Sequence, residues 1–273
     1  MDLDVRDNQG RTAFCSACIY GREKIVELFL EHSNGKIIDL NVKDDEGETV
    51  LMKACYNGYE EIIELFLKYS DGKNIDLNVR DNNGKTALML ACSYGHEKIV
   101  KLFLEYPNSK NIDFNVRDTD GGTALMLAST EGGKEIVKLL LEHPNGKNIN
   151  INVRDNQGKT ALVWACIYGY KEIVELLLEH TNNENIDLNV RDNEGETALM
   201  KACIYGRQKI VKLLLEHSNG KNIDFNVRDN QGRTALCRAY IFGCAKIVGL
   251  ILKHSNVRDN EGTKKKIKLS NHL

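Results

Sequence analysis

Cys15 and Cys18 stand three residues apart, the spacing of half a zinc site or of a redox dithiol. Either chemistry needs a second Cys pair or histidines at metal spacing, and the sequence supplies none. Cys18 also belongs to a series, Cys18, Cys55, Cys92, Cys166 and Cys203, with Ser129 in the missing place. A series at fixed spacing reads as a column of small core side chains. Packed helices lie about 8–10 Å apart, beyond the roughly 7 Å between Cα atoms that a disulfide spans. The eight cysteines are therefore read as reduced thiols of a cytoplasmic or nuclear protein.

His32, His143, His180, His217 and His254 form a second series, with Tyr69 and Tyr106 in the remaining places. Side chains about 10 Å apart cannot share one metal ion, so these read as polar helix ends facing the negative end of the dipole. Arg6, Lys43, Arg80, Arg117, Arg154, Arg191, Arg228 and Arg258 make a basic row that could follow a phosphate backbone. Each is followed by Asp, and the chain carries a net charge of −2 with 28% charged residues. The row is read as a salt-bridged structural ladder, with no nucleic-acid partner. No apolar run approaches the roughly 18 residues of a membrane span, and no signal-peptide pattern opens the chain. No residue stands out as a nucleophile with its own base. The expectation is no enzyme activity, no cofactor, no metal and no small-molecule substrate. The Lys264 to Lys268 run resembles an import signal or an acidic-surface contact, and reads more simply as a solvated tail.

These series exist because the chain repeats. An Asp opens each repeat at Asp7, Asp44, Asp81, Asp118, Asp155, Asp192 and Asp229, always 37 residues on, and an incomplete eighth starts at Asp259. A fixed period between 20 and 50 residues marks a stacked architecture. In the fifth repeat Asp155 to Gly158 suits a type I turn, and Thr160 stands where a helix N-cap belongs. Leu162, Ala165 and Cys166 share one helical face, Gly169 ends that first helix, and a second runs through Ile173 to Leu178. Helices this short are marginal alone, so stability must come from stacking. The column Ala17, Ala54, Ala91, Ala128, Ala165, Ala202 and Ala239 lets first helices approach closely.

The pattern D-x-x-G-x-T-A-L-x-x-A-x-x-x-G-x-x-x-I-V-x-L-L-L resembles the ankyrin repeat over nearly the whole chain. The family repeats about every 33 residues, so about four are added per repeat here, between the second helix and the next hairpin (His180 to Asn189). Its T-P-L-H has become T-A-L-M or T-A-L-V. The resemblance implies an all-α repeat solenoid: an ankyrin-type stack of helix-turn-helix elements joined by β-hairpin loops. The array covers residues 1–256, and residues 257–273 hold the incomplete hairpin and a basic polar tail.

Further expectations follow along the chain. No polar capping helix precedes the first repeat, so the face around Phe14 and Ile25 should be partly uncovered, as in a fragment. The column Ile38, Ile75, Ile112, Ile149, Ile186 and Ile223 should pack the added connector back regularly. Tyr240 replaces the small Cys or Ser of other repeats and fits only where no further first helix stacks.

In ankyrin arrays partners usually meet the hairpin tips and the exposed side of the first helices. The resemblance carries that onto Arg11, Glu48, Lys85, Lys159, Glu196 and Arg233 in the hairpins, with Gly122 in the fourth repeat. It carries it also onto Tyr20, Tyr94, Tyr168, Tyr205 and Phe242 at the first-helix ends, flanked by Ile19, Ile167, Ile204 and Ile241. Trp164 shares a column with Ser16, Lys53, Leu90, Leu127, Lys201 and Arg238. A place that takes Lys and Arg should be partly exposed, which makes Trp164 the expected anchor. The function expected is protein–protein interaction by a monomer. The alternative is a structural spacer or elastic scaffold without a specific partner. The Asn-, Lys- and Ile-rich, near-identical repeats also resemble expanded arrays of large DNA viruses, intracellular bacteria and protists, which implies a partner in a host cell. An adaptor role through an F-box-like tail is disfavoured, because the segment after Asp259 is too short.

Overall fold

The computed structural model describes residues 5–32, 38–69, 75–106, 109–180, 186–217 and 222–259. The chain forms two compact units, residues 1–149 and 150–273. The Lys264 to Lys268 run and the connector at Asn74 lie outside the described residues.

The first unit holds helix pairs α1 (Ala13–Ile19) with α2 (Glu23–Glu31), α3 (Val50–Asn57) with α4 (Glu60–Tyr69), α5 (Ala87–Ser93) with α6 (Glu97–Glu105), and α7 (Ala124–Glu131) with α8 (Lys134–Glu142). The second holds α9 (Ala161–Tyr168) with α10 (Lys171–Glu179), α11 (Ala198–Ile204) with α12 (Gln208–Glu216), and α13 (Ala235–Ile241) with α14 (Ala245–Asp259). Within each unit, successive first helices pack on one another and successive second helices do likewise. α14 runs through Asp259, so the residues that open the incomplete repeat are helical.

The expected local chemistry is present. Thr160 accepts the backbone N–H of Val163, and Thr49, Thr86, Thr123, Thr197 and Thr234 cap their helices in the same way. Each turn closes through backbone bonds such as Asp155 N–H to Lys159 C=O and Gly158 N–H to Asp155 C=O, both 2.9 Å. Gly195 takes φ +79°, and a Cβ there would meet the Asn230 backbone nitrogen at 2.8 Å, so only glycine fits. Among the described residues no extended strand forms, and the hairpin loops hold one isolated antiparallel bridge, Arg6 with Thr12.

Burial is between stacked helices. Ala54, Ala91 and Ala128 of the first unit and Ala165, Ala202 and Ala239 of the second have no accessible surface. Around them Phe66, Phe103, Ile62 and Met89, and in the second unit Ile173 and Leu177, are fully buried. Each such side chain contributes about 1.5–3 kcal/mol, against the entropy of ordering it. Ile75, Ile112, Ile149, Ile186 and Ile223 are buried and Ile38 is half-buried, so the Ile column packs inward. Tyr240 is 63% exposed at the last pair, as its size requires. One expectation fails in part. Ile25 is exposed, but Phe14 is only 6% exposed, because it packs edge-on to Phe29 (5.7 Å) and against Phe66 (6.1 Å).

Candidate protein-binding surface

The turn Asp of each repeat is a backbone anchor. Asp155 Oδ1 accepts from the N–H groups of Gln157 (2.9 Å) and Lys159 (2.8 Å), and Asp192 accepts from Glu194 (3.0 Å) and Glu196 (2.8 Å). Its other oxygen faces the helix column that holds Trp164. There Lys201 meets Asp192 (2.9 Å), Glu194 (2.6 Å) and Glu196, while Lys53 meets Asp44 (3.0 Å), Glu46 (3.1 Å) and Glu48. Burial pulls the Lys201 pKa down, but the three carboxylates outweigh it and hold it above the ordinary lysine range. Burial raises Glu196 and Glu48 despite their pairing. Arg238 then joins Glu196 to Asp229 (2.8 Å), linking the last two repeats.

These cages correct two expectations. Glu196 is 2% exposed and Glu48 is half-buried, so neither is a hairpin tip open to a partner. Lys201 is 4% exposed: its column takes cations because carboxylates enclose them, not because water reaches them. Trp164 itself is half-buried, so it is partly exposed as expected, although the enclosed Lys201 shows that a cation in this column does not by itself mark exposure. Of the other hairpin residues, Arg11 pairs with Asp7 and Arg233 with Asp229, while Lys85 and Lys159 are half-buried without an ion pair among the described residues. Each acidic triad, Asp44–Glu46–Glu48 and Asp192–Glu194–Glu196, has the spacing to hold a metal ion but already encloses an ammonium group.

The basic row is also not what its sequence suggested. Arg80 donates to Gly84 O (3.1 Å) and Arg117 O (2.8 Å), Lys43 donates to Arg80 O (2.7 Å), and Arg191 donates to Gly195 O (3.2 Å). Among the described residues it is a hydrogen-bonded ladder to carbonyls rather than a salt-bridged one. The cysteine column is buried, and burial pushes the Cys203 thiol up to about 12, far from a reactive thiolate.

Two aromatic clusters remain open. In the first unit the rings of Tyr56 and Tyr94 meet edge-on at 4.6 Å, and His96 stacks on Tyr94 at 6.4 Å. Burial raises the Tyr94 phenol, as do Tyr56 and, more weakly, Glu48 and Glu131. Tyr20 is exposed on α1. In the second unit Trp164 stacks on Tyr168 (5.9 Å, 18° between planes), and Tyr168 on Tyr170 (6.0 Å). Trp164 Nε1 donates to Asp155 at 2.8 Å, and the Lys159 ammonium sits 4.8 Å from its ring centre. Tyr168 ends α9, and Tyr205 and Phe242 follow it as the C-caps of α11 and α13, each about half exposed. Trp164, Tyr168 and Tyr205, with Lys159, Ile167, Glu194, Lys201 and Arg207, line a hollow of roughly 470 Å³.

Three features were missed. Tyr56 falls in the series that elsewhere supplies Ile19, Ile167 and Ile204, so its exposed ring was passed over. In several repeats the residue after the helix-ending Gly reaches back one repeat. Tyr59 donates to Ile19 O (3.3 Å), Arg207 donates to Ile167 O through Nε (3.1 Å), and a His96 ring nitrogen stands 3.3 Å from Tyr56 O. The signal was a column in which most side chains, Arg22, Tyr59, His96, Tyr170 and Arg207, can donate a hydrogen bond. Third, Asn78 accepts from Asp113 N–H (2.9 Å) and donates to Asn111 O (2.7 Å), as Asn189 does to Asp224 and Asn222. The signal there was the recurring Asp-x-Asn.

Comparison with known proteins follows this geometry. The family described as ankyrin repeats (3 copies) matches residues 36–118, 108–192 and 183–261, and the single ankyrin repeat matches residues 9–45. Among solved structures, the ankyrin repeat domain of Bcl-3, described as a unique member of the IkappaB protein family, is similar with a TM-score of 0.71. It is 22% identical, over 90% of this chain and 100% of that one. EF0377, an ankyrin repeat protein, is similar with a TM-score of 0.64 and 26% identity, over 74% of this chain and 96% of that one. No curated protein matches the sequence.

Proposed function

Since the chain belongs to the ankyrin repeat family, whose repeats generally serve as protein–protein interaction modules, we propose that it binds a partner protein non-covalently through the exposed side of its first helices. One observation carries this reading: Tyr168 and Tyr205, 46% and 50% exposed, stand open to water beside Trp164. Large aromatic rings left half exposed and grouped together are the material of interface hot spots. Here they are also ordered in advance, since Trp164 is held by Asp155 and stacked on Tyr168. Pre-ordered rings lose less entropy when a partner arrives. The hairpin charges take a smaller part than their signs suggest, because Glu48, Glu196, Arg11 and Arg233 are already paired within the chain. No helix among the described residues is long and apolar enough to cross a membrane.

The test is affinity capture from the source cell's lysate, comparing the native chain with a Trp164→Ala, Tyr168→Ala, Tyr205→Ala variant of matched circular dichroism. A partner held by the first and lost by the second is the expected result. Equal capture by both would move the site elsewhere on the chain. No capture by either would favour a spacer without a specific partner.

A further inference from the structure

We propose that the hollow between α9 and α11 receives an acidic linear segment of the partner protein. One aromatic or long aliphatic side chain enters beside Trp164, Tyr168 and Tyr205, and a neighbouring carboxylate meets Lys159 and Arg207. This rests on the reading that the face binds a partner, and it names what that partner presents.

The hollow carries cationic charge that the fold itself does not use. Four ionic groups line the hollow: Lys159, Glu194, Lys201 and Arg207. Lys201 is satisfied by Asp192, Glu194 and Glu196, which also commits Glu194. Lys159 and Arg207 form no ion pair among the described residues. The Lys159 ammonium rests on the Trp164 ring and donates to the Gln157 amide, and feels Glu194 only at longer range. The Arg207 guanidinium donates through Nε and one terminal nitrogen to Ile167 O, which leaves its other terminal nitrogen to a ligand. A carboxylate at the rim would gain charge-assisted bonds from both cations, whereas an incoming cation would face two like charges.

Size and direction fix the rest. A hollow of roughly 470 Å³ accepts side chains rather than a folded element. Tyr168, Tyr205 and Phe242 recur on successive first helices, so an extended chain crossing them meets one ring per helix. A compact small molecule would use only the first two.

Trp164 is the single tryptophan of the chain, so its emission reports this hollow alone. The experiment titrates the full chain with three peptides of equal length: phenylalanine flanked by glutamates, phenylalanine flanked by lysines, and alanine flanked by glutamates. The expected result is a saturable change in emission with the first, at least about tenfold tighter than with either other peptide and weakened by added salt. Lys159→Glu installs the residue that Glu48 and Glu196 already occupy at this turn position, so the backbone accepts it. That variant should lose most of the preference for the acidic peptide. Equal or tighter binding of the lysine peptide would overturn the proposal. So would a preference unchanged by Lys159→Glu, or no response to any peptide at millimolar concentration. If these arms fail while the triple alanine variant still loses its captured partner, the binding face stands and only the acidic segment falls. If the triple variant keeps its partner, the face itself is wrong.

Discussion

The two units repeat one sequence yet differ at matching places. In the first, Lys53 lies among Asp44, Glu46 and Glu48 with 16% of its side chain exposed, and the open ring pair beside it, Tyr56 with Tyr94, stands near Glu48 and Glu131. In the second, Lys201 is sealed at 6% of its side chain, and Glu196 passes the network on to Arg238. The rings next to it gain Trp164 and two cations, Lys159 and Arg207, that form no ion pair among the described residues. Two columns produce the contrast: the residue before the cap Thr and the residue five places after it. Glu goes with Lys at 48 and 53 and at 196 and 201, whereas Lys goes with Leu at 85 and 90 and with Trp at 159 and 164. The turn glutamates are thus matched inside the fold, and the one repeat that sets a turn Lys beside Trp is where an open aromatic cluster keeps its cation.

The largest expected effect tests the sealed cage. Lys201→Met leaves buried carboxylates without their counter-ion and should destabilise the second unit by about 3–5 kcal/mol. Lys53→Met, in a cage that is less sealed because Glu48 keeps 17% of its side chain exposed, should cost the first unit less, about 2–3 kcal/mol. Native-state hydrogen exchange of α11 and α3 reads the two losses separately, and equal losses would erase the contrast. Next comes binding. Trp164→Ala with Tyr168→Ala should cost about 2–4 kcal/mol of partner affinity by calorimetry. Tyr56→Ala with Tyr94→Ala should cost under about 1 kcal/mol, the range of contacts outside a hot spot. A reversed order would transfer the site to the first unit. Asn78→Ala and Asn189→Ala sharpen the comparison from the other side, because the two residues make the same bonds. Each should cost about 1 kcal/mol in denaturant unfolding, and unequal losses would mean that the scaffold itself differs between units.

The smallest effect is a pH dependence. Burial lowers the His180 pKa below 6.5 in the folded chain. The unfolded chain then binds more protons as pH falls through 6.5, so stability drops there and levels off below the lowered folded value. The drop should be under about 1 kcal/mol and vanish in His180→Leu. A drop that survives the substitution would assign it to another group.

The fold was legible because every repeat states it: Thr before the apolar run, Gly after it, Ala where helices touch. Averaging over copies cancels local accidents. The site was legible only in part, since it depends on what differs between copies and on neighbours that sequence order hides. Tyr168 and Tyr205 were found because aromatic residues recur in their column. Glu196 was misjudged because a single row gives no sign of the Lys201 that faces it. Trp164 is partly exposed as its column suggests, but the Lys at 201 in that column marks a carboxylate cage, which one row of residues does not reveal. Arg207 needed the fold, because its role depends on the Ile167 carbonyl one repeat earlier.

The proposed seat of a partner is the aromatic cluster of the second unit. Hydroxyl-radical footprinting of the aromatic side chains, with and without the captured partner, reads each ring separately. The expected result is strong protection at Trp164, Tyr168 and Tyr205, with Tyr20, Tyr56 and Tyr94 little changed. Unchanged oxidation at those three rings, with protection elsewhere on the chain, would contradict it.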